Sequence, residues 1–213
     1  MNTKENIRAI SEIAASQMGI FTTAQAGRLG VARNVLAYMA QAGKIERLEQ
    51  GVYRISGTPY HAQQGIYAAW LSTDPARMAY ERYAEFDGIV VGGRSAAALH
   101  EIGDFFLSPY RFLTGKRFNS KRQNIIFTKR PVEKDDVTFT DSGLPITSVA
   151  RTIFDLVVDN EDPALLMRTL SDAMNATRPF DADRLEALLK EDPTRNKGLS
   201  GVGLREIIDA ARR

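Results

Sequence analysis

The stretch that decides the fold runs from Gly19 to Ile55, GIFTTAQAGRLGVARNVLAYMAQAGKIERLEQGVYRI. Thr22 or Thr23 is placed to cap a short helix whose inward positions are Ala26 and Leu29. Gly30 and Val31 then make a tight turn, and Ala32 to Ala42 has the spacing of a second helix. Its apolar positions are Val35, Leu36 and Met39, and Gly43 stops it. From Ile45 to Ile55 apolar and polar residues alternate on either side of Gln50-Gly51, which predicts a two-stranded hairpin. Upstream, Asn6 to Met18 reads as an amphipathic helix carrying Ile7, Ile10, Ile13 and Ala14 on one face. Helix, short helix, turn, helix and hairpin together predict a winged helix-turn-helix over residues 1–57.

That assignment sends Arg33, Asn34, Tyr38 and Gln41 outward from the last helix of the motif. Arg can bond guanine in a bidentate manner and Asn can do the same to adenine, each worth about 1–3 kcal/mol of discrimination. Thr22, Thr23 and Arg28 are expected to face phosphate from the preceding helix, and Arg47 and Arg54 to reach the backbone or minor groove from the hairpin. The same architecture also serves as a protein-docking module. The basic balance of these residues and the chemistry of the outward positions favour DNA.

Composition agrees with a recognition protein. The 213 residues contain no cysteine, which excludes disulfides, thiolate metal sites and cysteine nucleophiles, and only two histidines, His61 and His100. The net charge of +2 averages over unlike parts: +3 in residues 1–60, +4 in 61–130 and −5 in 131–213. No acid occurs between Asp104 and Glu133, where Arg111, Lys116, Arg117, Lys121, Arg122, Lys129 and Arg130 are interleaved with Tyr110, Phe112, Phe118 and Phe127. This second basic segment reads either as a polyanion surface or as solvated strand faces. The first twenty residues lack a secretory signal pattern and no long apolar run occurs, so a cytoplasmic protein with no membrane partner is expected.

Residues 58–213 alternate helices with short strands, giving an α+β reading with a small mixed sheet and several helices. Expected helices cover His61–Leu71, Ala96–Ile102 capped by Ser95, Val149–Val158 capped by Thr147 or Ser148, and a segment opened by Asp162-Pro163 through about Ala176. Asp181 is expected to cap another and Ser200 the last. Short strands are expected at 88–92, 112–113, 125–127, 137–139 and 144–146.

The segment quoted above, followed by VVGGRSAAALHEIGD and PITSVARTIFDLV, resembles the AbiEi abortive-infection antitoxins of bacteria over roughly residues 6–190. The motif residues here are Ser95 to His100 and Arg151, Thr152, Asp155 and Leu156, with Gly92-Gly93 where the family often has Ser-His. The resemblance implies a type IV toxin–antitoxin repressor that binds inverted repeats in its own promoter, two chains per operator. It also implies a nucleotidyltransferase toxin counteracted through the C-terminal domain without a necessarily stable complex, and a role in phage defence. Direct sequestration of the toxin, or its enzymatic modification by the C-terminal domain, are the alternatives.

The residues themselves speak against catalysis. No Glu-x-Lys triplet occurs for a metal-dependent nuclease. Asp181-x-Asp183 lacks the preceding Gly-Ser of a nucleotidyltransferase, and no phosphate-binding Gly-x-x-x-x-Gly-Lys loop is present. Arg151 and Asp155, four apart on one helix, read as a structural pair, and His100 as a core or capping residue. A non-enzymatic chain with no cofactor and no metal is expected.

Overall fold

The computed structural model of the chain describes residues 3–118, 120, 122–176 and 180–191. It divides into two compact units. One comprises the chain up to Asp87 together with Asp141–Leu144, and the other comprises Gly88–Thr140 and the chain from Pro145 onward.

The first unit opens with α1 (Thr3–Ala15), β1 (Ile20–Thr22), α2 (Thr23–Arg28) and α3 (Arg33–Gln41), followed by β2 (Ile45–Glu49) and β3 (Val52–Ile55). Ile10, Ala14, Phe21, Ala26, Leu36, Met39 and Ile45 share one apolar core, so the helical spacing of the sequence translates directly into packing. The three strands form an antiparallel sheet in the order β1-β3-β2, with Phe21 opposite Tyr53 and Arg47 opposite Tyr53 on the other side. Gly51 turns the hairpin at a φ of +76°, a region where glycine carries no steric cost, and the pairing shifts register between Arg47 and Glu49. β1 has no counterpart in the sequence reading, because three residues are too few to show alternation.

This unit does not stop at the hairpin, near residue 57. It continues through α4 (Gln64–Leu71) and α5 (Ala79–Ala84). Every residue of α4 from Ile66 to Leu71 is buried, and Met78, just before α5, joins the core of the three N-terminal helices. Arg82 is fully buried and lies 3.8 Å over the Trp70 ring. It donates to Asp87 at 2.5 Å, to the Trp70 carbonyl at 2.7 Å and to Thr73 at 3.0 Å, so its buried charge is paired and its donors are satisfied.

Two buried glutamines fasten the segment before α5 to the helices ahead of it. Gln17 and Gln25 face each other amide to amide at 3.1 and 3.2 Å. Gln17 also donates to the Ile20 carbonyl and accepts from the Ala79 amide at 2.8 Å, while Gln25 donates to the Arg77 carbonyl at 2.8 Å. All these groups are withdrawn from water, so each unmade bond would leave a desolvated polar atom.

The second unit carries a mixed five-stranded sheet in the order β6-β5-β4-β8-β7, from β4 (Val90–Val91), β5 (Tyr110–Thr114), β6 (Ile125–Lys129), β7 (Val137–Phe139) and β8 (Pro145–Thr147). β4 and β8 are parallel, as are β5 and β6, and the other two pairings are antiparallel. Among the described residues four helices accompany it: α6 (Gly93–His100), α7 (Val149–Val158), α8 (Pro163–Asn175) and α9 (Ala182–Glu191). Their core joins Ala97, Ile153, Leu156, Leu166, Leu170 and Leu185. Ser148 caps α7 by accepting from the Arg151 amide, and Asp162 caps α8 with Pro163 at the first helical position.

One cap differs from expectation. Gly92 begins α6 and Ser95 lies inside the helix, fully buried. Its hydroxyl donates towards the Leu107 and Pro109 carbonyls and accepts from the Arg111 amide at 2.9 Å, joining α6 to the segment entering β5. A side chain at Gly92 would collide with Leu113, which explains why a glycine sits there. The helix expected after Ser200 and the glycine-rich run 198–203 lie outside the described residues.

Candidate nucleic-acid interface

α3 begins after an extended Ala32 that provides no side-chain cap, and buries Leu36 and Met39. The opposite face presents Arg33, Asn34, Ala37, Tyr38 and Gln41 to solvent, with Tyr38 60% exposed. These positions are three or four residues apart, so they form one stripe. Arg33, Tyr38 and Gln41 make no side-chain hydrogen bond or ion pair among the described residues. Asn34 accepts from the Val35 amide at 3.0 Å, which leaves its amide donors free. Ala37, a methyl within this stripe, has no polar chemistry and so gave no sequence signal.

The other residues expected at a DNA surface divide sharply. Thr23 is half-buried, and both its amide and its hydroxyl donate to the Gly51 carbonyl, tying the start of α2 to the hairpin turn. Arg47 is exposed on β2, and its Nε donates to the Glu49 carbonyl at 3.3 Å. These two stay on the side of the molecule where α3 meets the hairpin.

Thr22, Arg28 and Arg54 do not. Thr22 is fully buried and caps α2, exchanging bonds with Gln25, while its hydroxyl donates to the Pro75 carbonyl. Arg28 holds Glu81 through two bonds of 2.6 and 2.7 Å and donates to the Ala76 carbonyl. This pairing raises the Arg28 guanidinium and lowers the Glu81 carboxyl to about 2, the hydrogen bond between them being the main cause. Arg54 is held by Glu46 at 2.6 Å and Gln64 at 2.7 Å. Thr22 is therefore corrected from a phosphate contact to a buried cap, while Arg28 and Arg54 are already paired with carboxylates of the same unit.

A cleft of about 470 Å³ opens between the start of α3 and the hairpin. It is lined by Thr23, Arg33, Leu36, Arg47, Gln50 and Val52, with Ser72 and Pro75. Among the described residues, no aspartate or glutamate lines it.

The second basic segment is divided too. Lys116, Arg117 and Lys129 are exposed, Arg111 and Arg122 are half-buried, and Lys121 lies outside the described residues. Phe118 packs on Phe127, which stacks on the buried Phe112, so three of the four aromatics interleaved with these cations stack on one another with Phe118 at the exposed end. Arg130 belongs to a different structure. It pairs with Asp155 at 3.0 Å and with Asp159 at 2.7 Å. Asp155 in turn accepts from Arg151 at 3.1 Å, Arg151 reaches Asp136, and Arg184 grips Asp136 at 2.7 and 2.8 Å. Asp136 and Asp155 are fully buried, and burial pushes the Asp155 carboxyl up against the pull of both arginines. Three arginines and three aspartates thus fasten β6, the turn before β7, α7 and α9 to one another. His100 is buried, with Nε2 2.7 Å from the Thr147 carbonyl.

Among solved structures, the RV2827C protein from Mycobacterium tuberculosis is similar in fold, with a TM-score of 0.57, 15% sequence identity, and coverage of 96% of this chain and 76% of that one. No curated protein matches the sequence. Over residues 8–56, α1 to the end of the hairpin, the chain matches the AbiEi antitoxin family of transcriptional regulators.

Proposed function

We propose that this chain is a winged-helix repressor and antitoxin, which binds operator DNA through α3 and the β2–β3 hairpin. The observation that carries the reading is the stripe Arg33, Asn34, Ala37, Tyr38 and Gln41: a continuous outward face with donors left open and no acid among its members. Asn34 and Gln41 offer the paired donor and acceptor that adenine presents in the major groove, and Ala37 offers a methyl-sized apolar contact for thymine. The match to antitoxin regulators supports operator binding as the role of this face.

The chain then acts as a non-enzymatic partner of a toxin. In keeping with the family it resembles, that toxin is a nucleotidyltransferase encoded in the same operon, counteracted through the second unit, and the operator is an inverted repeat taking two chains. Among the described residues no helix is long and apolar enough to cross a membrane, which is compatible with action in the cytoplasm.

Fluorescence anisotropy of the full chain on its own promoter DNA tests the reading. Affinity should exceed that for a scrambled duplex, and Asn34→Ala should remove about 1–3 kcal/mol of that preference while leaving the scrambled duplex unaffected. Absence of any binding at moderate salt overturns it.

A further inference from the structure

We propose that the cleft between α3 and the hairpin is the seat of a single DNA backbone phosphate, gripped jointly by Arg33 and Arg47. Arg33 is then an anchoring residue and not the guanine reader that its place in α3 predicts. The inference rests on the DNA-binding reading above and deepens it by separating the residue that anchors from those that read.

The charge arrangement carries the argument. Elsewhere in this unit arginines are neutralised by carboxylates: Arg28 by Glu81, Arg54 by Glu46, Arg77 by Glu85 and Arg82 by Asp87. Arg33 and Arg47 break that rule. Both line one cleft, where among the described residues neither has an ion-pair partner and no acid is present. Two like charges sharing a concave surface repel each other, and an anion between them relieves the repulsion. Arg47 keeps both terminal nitrogens available, because only its Nε is engaged, by the Glu49 carbonyl. Gln50 adds an amide donor to the same wall. Apolar Leu36 and Val52 line the same cleft, which suits the sugar attached to a backbone phosphate better than a free hydrated ion.

Position matters as much as charge. Arg33 lines the cleft, Asn34 follows it directly in α3, and Tyr38 and Gln41 lie about one to two helical turns further on. A phosphate fixed there sets the register in which these three meet the base edges, while carrying no sequence information itself.

The test uses the full chain, its promoter duplex and a scrambled duplex of equal length, each titrated at several salt concentrations. Binding by the unmodified chain checks the underlying reading, and the variants check this inference. Arg33→Ala and Arg47→Ala should each weaken both duplexes by the same factor, about tenfold, with the ratio between duplexes unchanged. The double variant should lower the slope of log affinity against log salt by about one in total, because both side chains neutralise one phosphate. Both residues are exposed, and circular dichroism should confirm intact folding. A collapse of the promoter-to-scrambled ratio in Arg33→Ala overturns the proposal, because it would make Arg33 a base reader. An unchanged slope in the double variant overturns it too, and inhibition of binding by a small organic anion that leaves the slope intact would assign the cleft to an effector instead.

Discussion

The arginines of α7 and its neighbours and the arginines of α3 and the hairpin are the same residue put to opposite uses. Arg130, Arg151 and Arg184 are locked between three aspartates, two of them fully buried. Arg33 and Arg47 line a cleft in which, among the described residues, no carboxylate meets them. What separates a rivet from a probe is therefore the partner, and the partner comes from elsewhere in the chain: Asp136 lies 48 residues from Arg184. A cation without such a partner is the one left to meet a ligand.

The largest effect should come from unmaking the rivet. Asp136→Ala leaves Arg151 and Arg184 without their shared acceptor, and removal of one member of a buried pair costs about 3–5 kcal/mol. Urea unfolding should show that loss, and a change under about 1 kcal/mol would place the network among dispensable ion pairs. A smaller loss is expected at Thr22. Thr22→Ala removes the cap of α2, worth about 1–2 kcal/mol, and should leave the salt dependence of DNA binding unchanged. A reduced salt slope would return Thr22 to the phosphate-contacting set and erase the division drawn here.

The smallest effect is a matter of pH. The folded Glu81 carboxyl, at about 2, lies below its ordinary 4.5, with the Arg28 hydrogen bond as the leading cause. Its contribution is thus fully present above about pH 4.5 and disappears as pH falls towards 2. Glu81→Gln should flatten that part of the acid-unfolding curve by lowering stability near neutrality by the same small amount, since the pair is largely solvated. An unaltered acid limb would show that Arg28 is free to act elsewhere.

The sequence made the α+β elements legible where side chains carry the signal: the Ser148 and Asp162 caps, the glycine at the hairpin turn, and the apolar stripe of α3. It failed where the partner is backbone. Gln17, Thr22, Gln25 and Arg28 all bond main-chain groups of residues 75–79, and a carbonyl leaves no mark on residue identity. For that reason the first unit was expected to end near residue 57, and Thr22 and Arg28 were expected to face DNA. Ser95 misled in the same way, since a serine early in a helix looks like a cap although its acceptors are the Leu107 and Pro109 carbonyls.

The paired amides of Gln17 and Gln25 have a thermodynamic consequence as well. They fix α1, β1 and α2 to the Arg77–Ala79 segment, and so hold together the core on which Leu36 and Met39 of α3 pack before anything docks on it. A ligand meeting that surface loses little to the ordering of the protein. The heat-capacity change of association should then track the apolar area covered at the contact, without the added signature of a segment that folds on arrival.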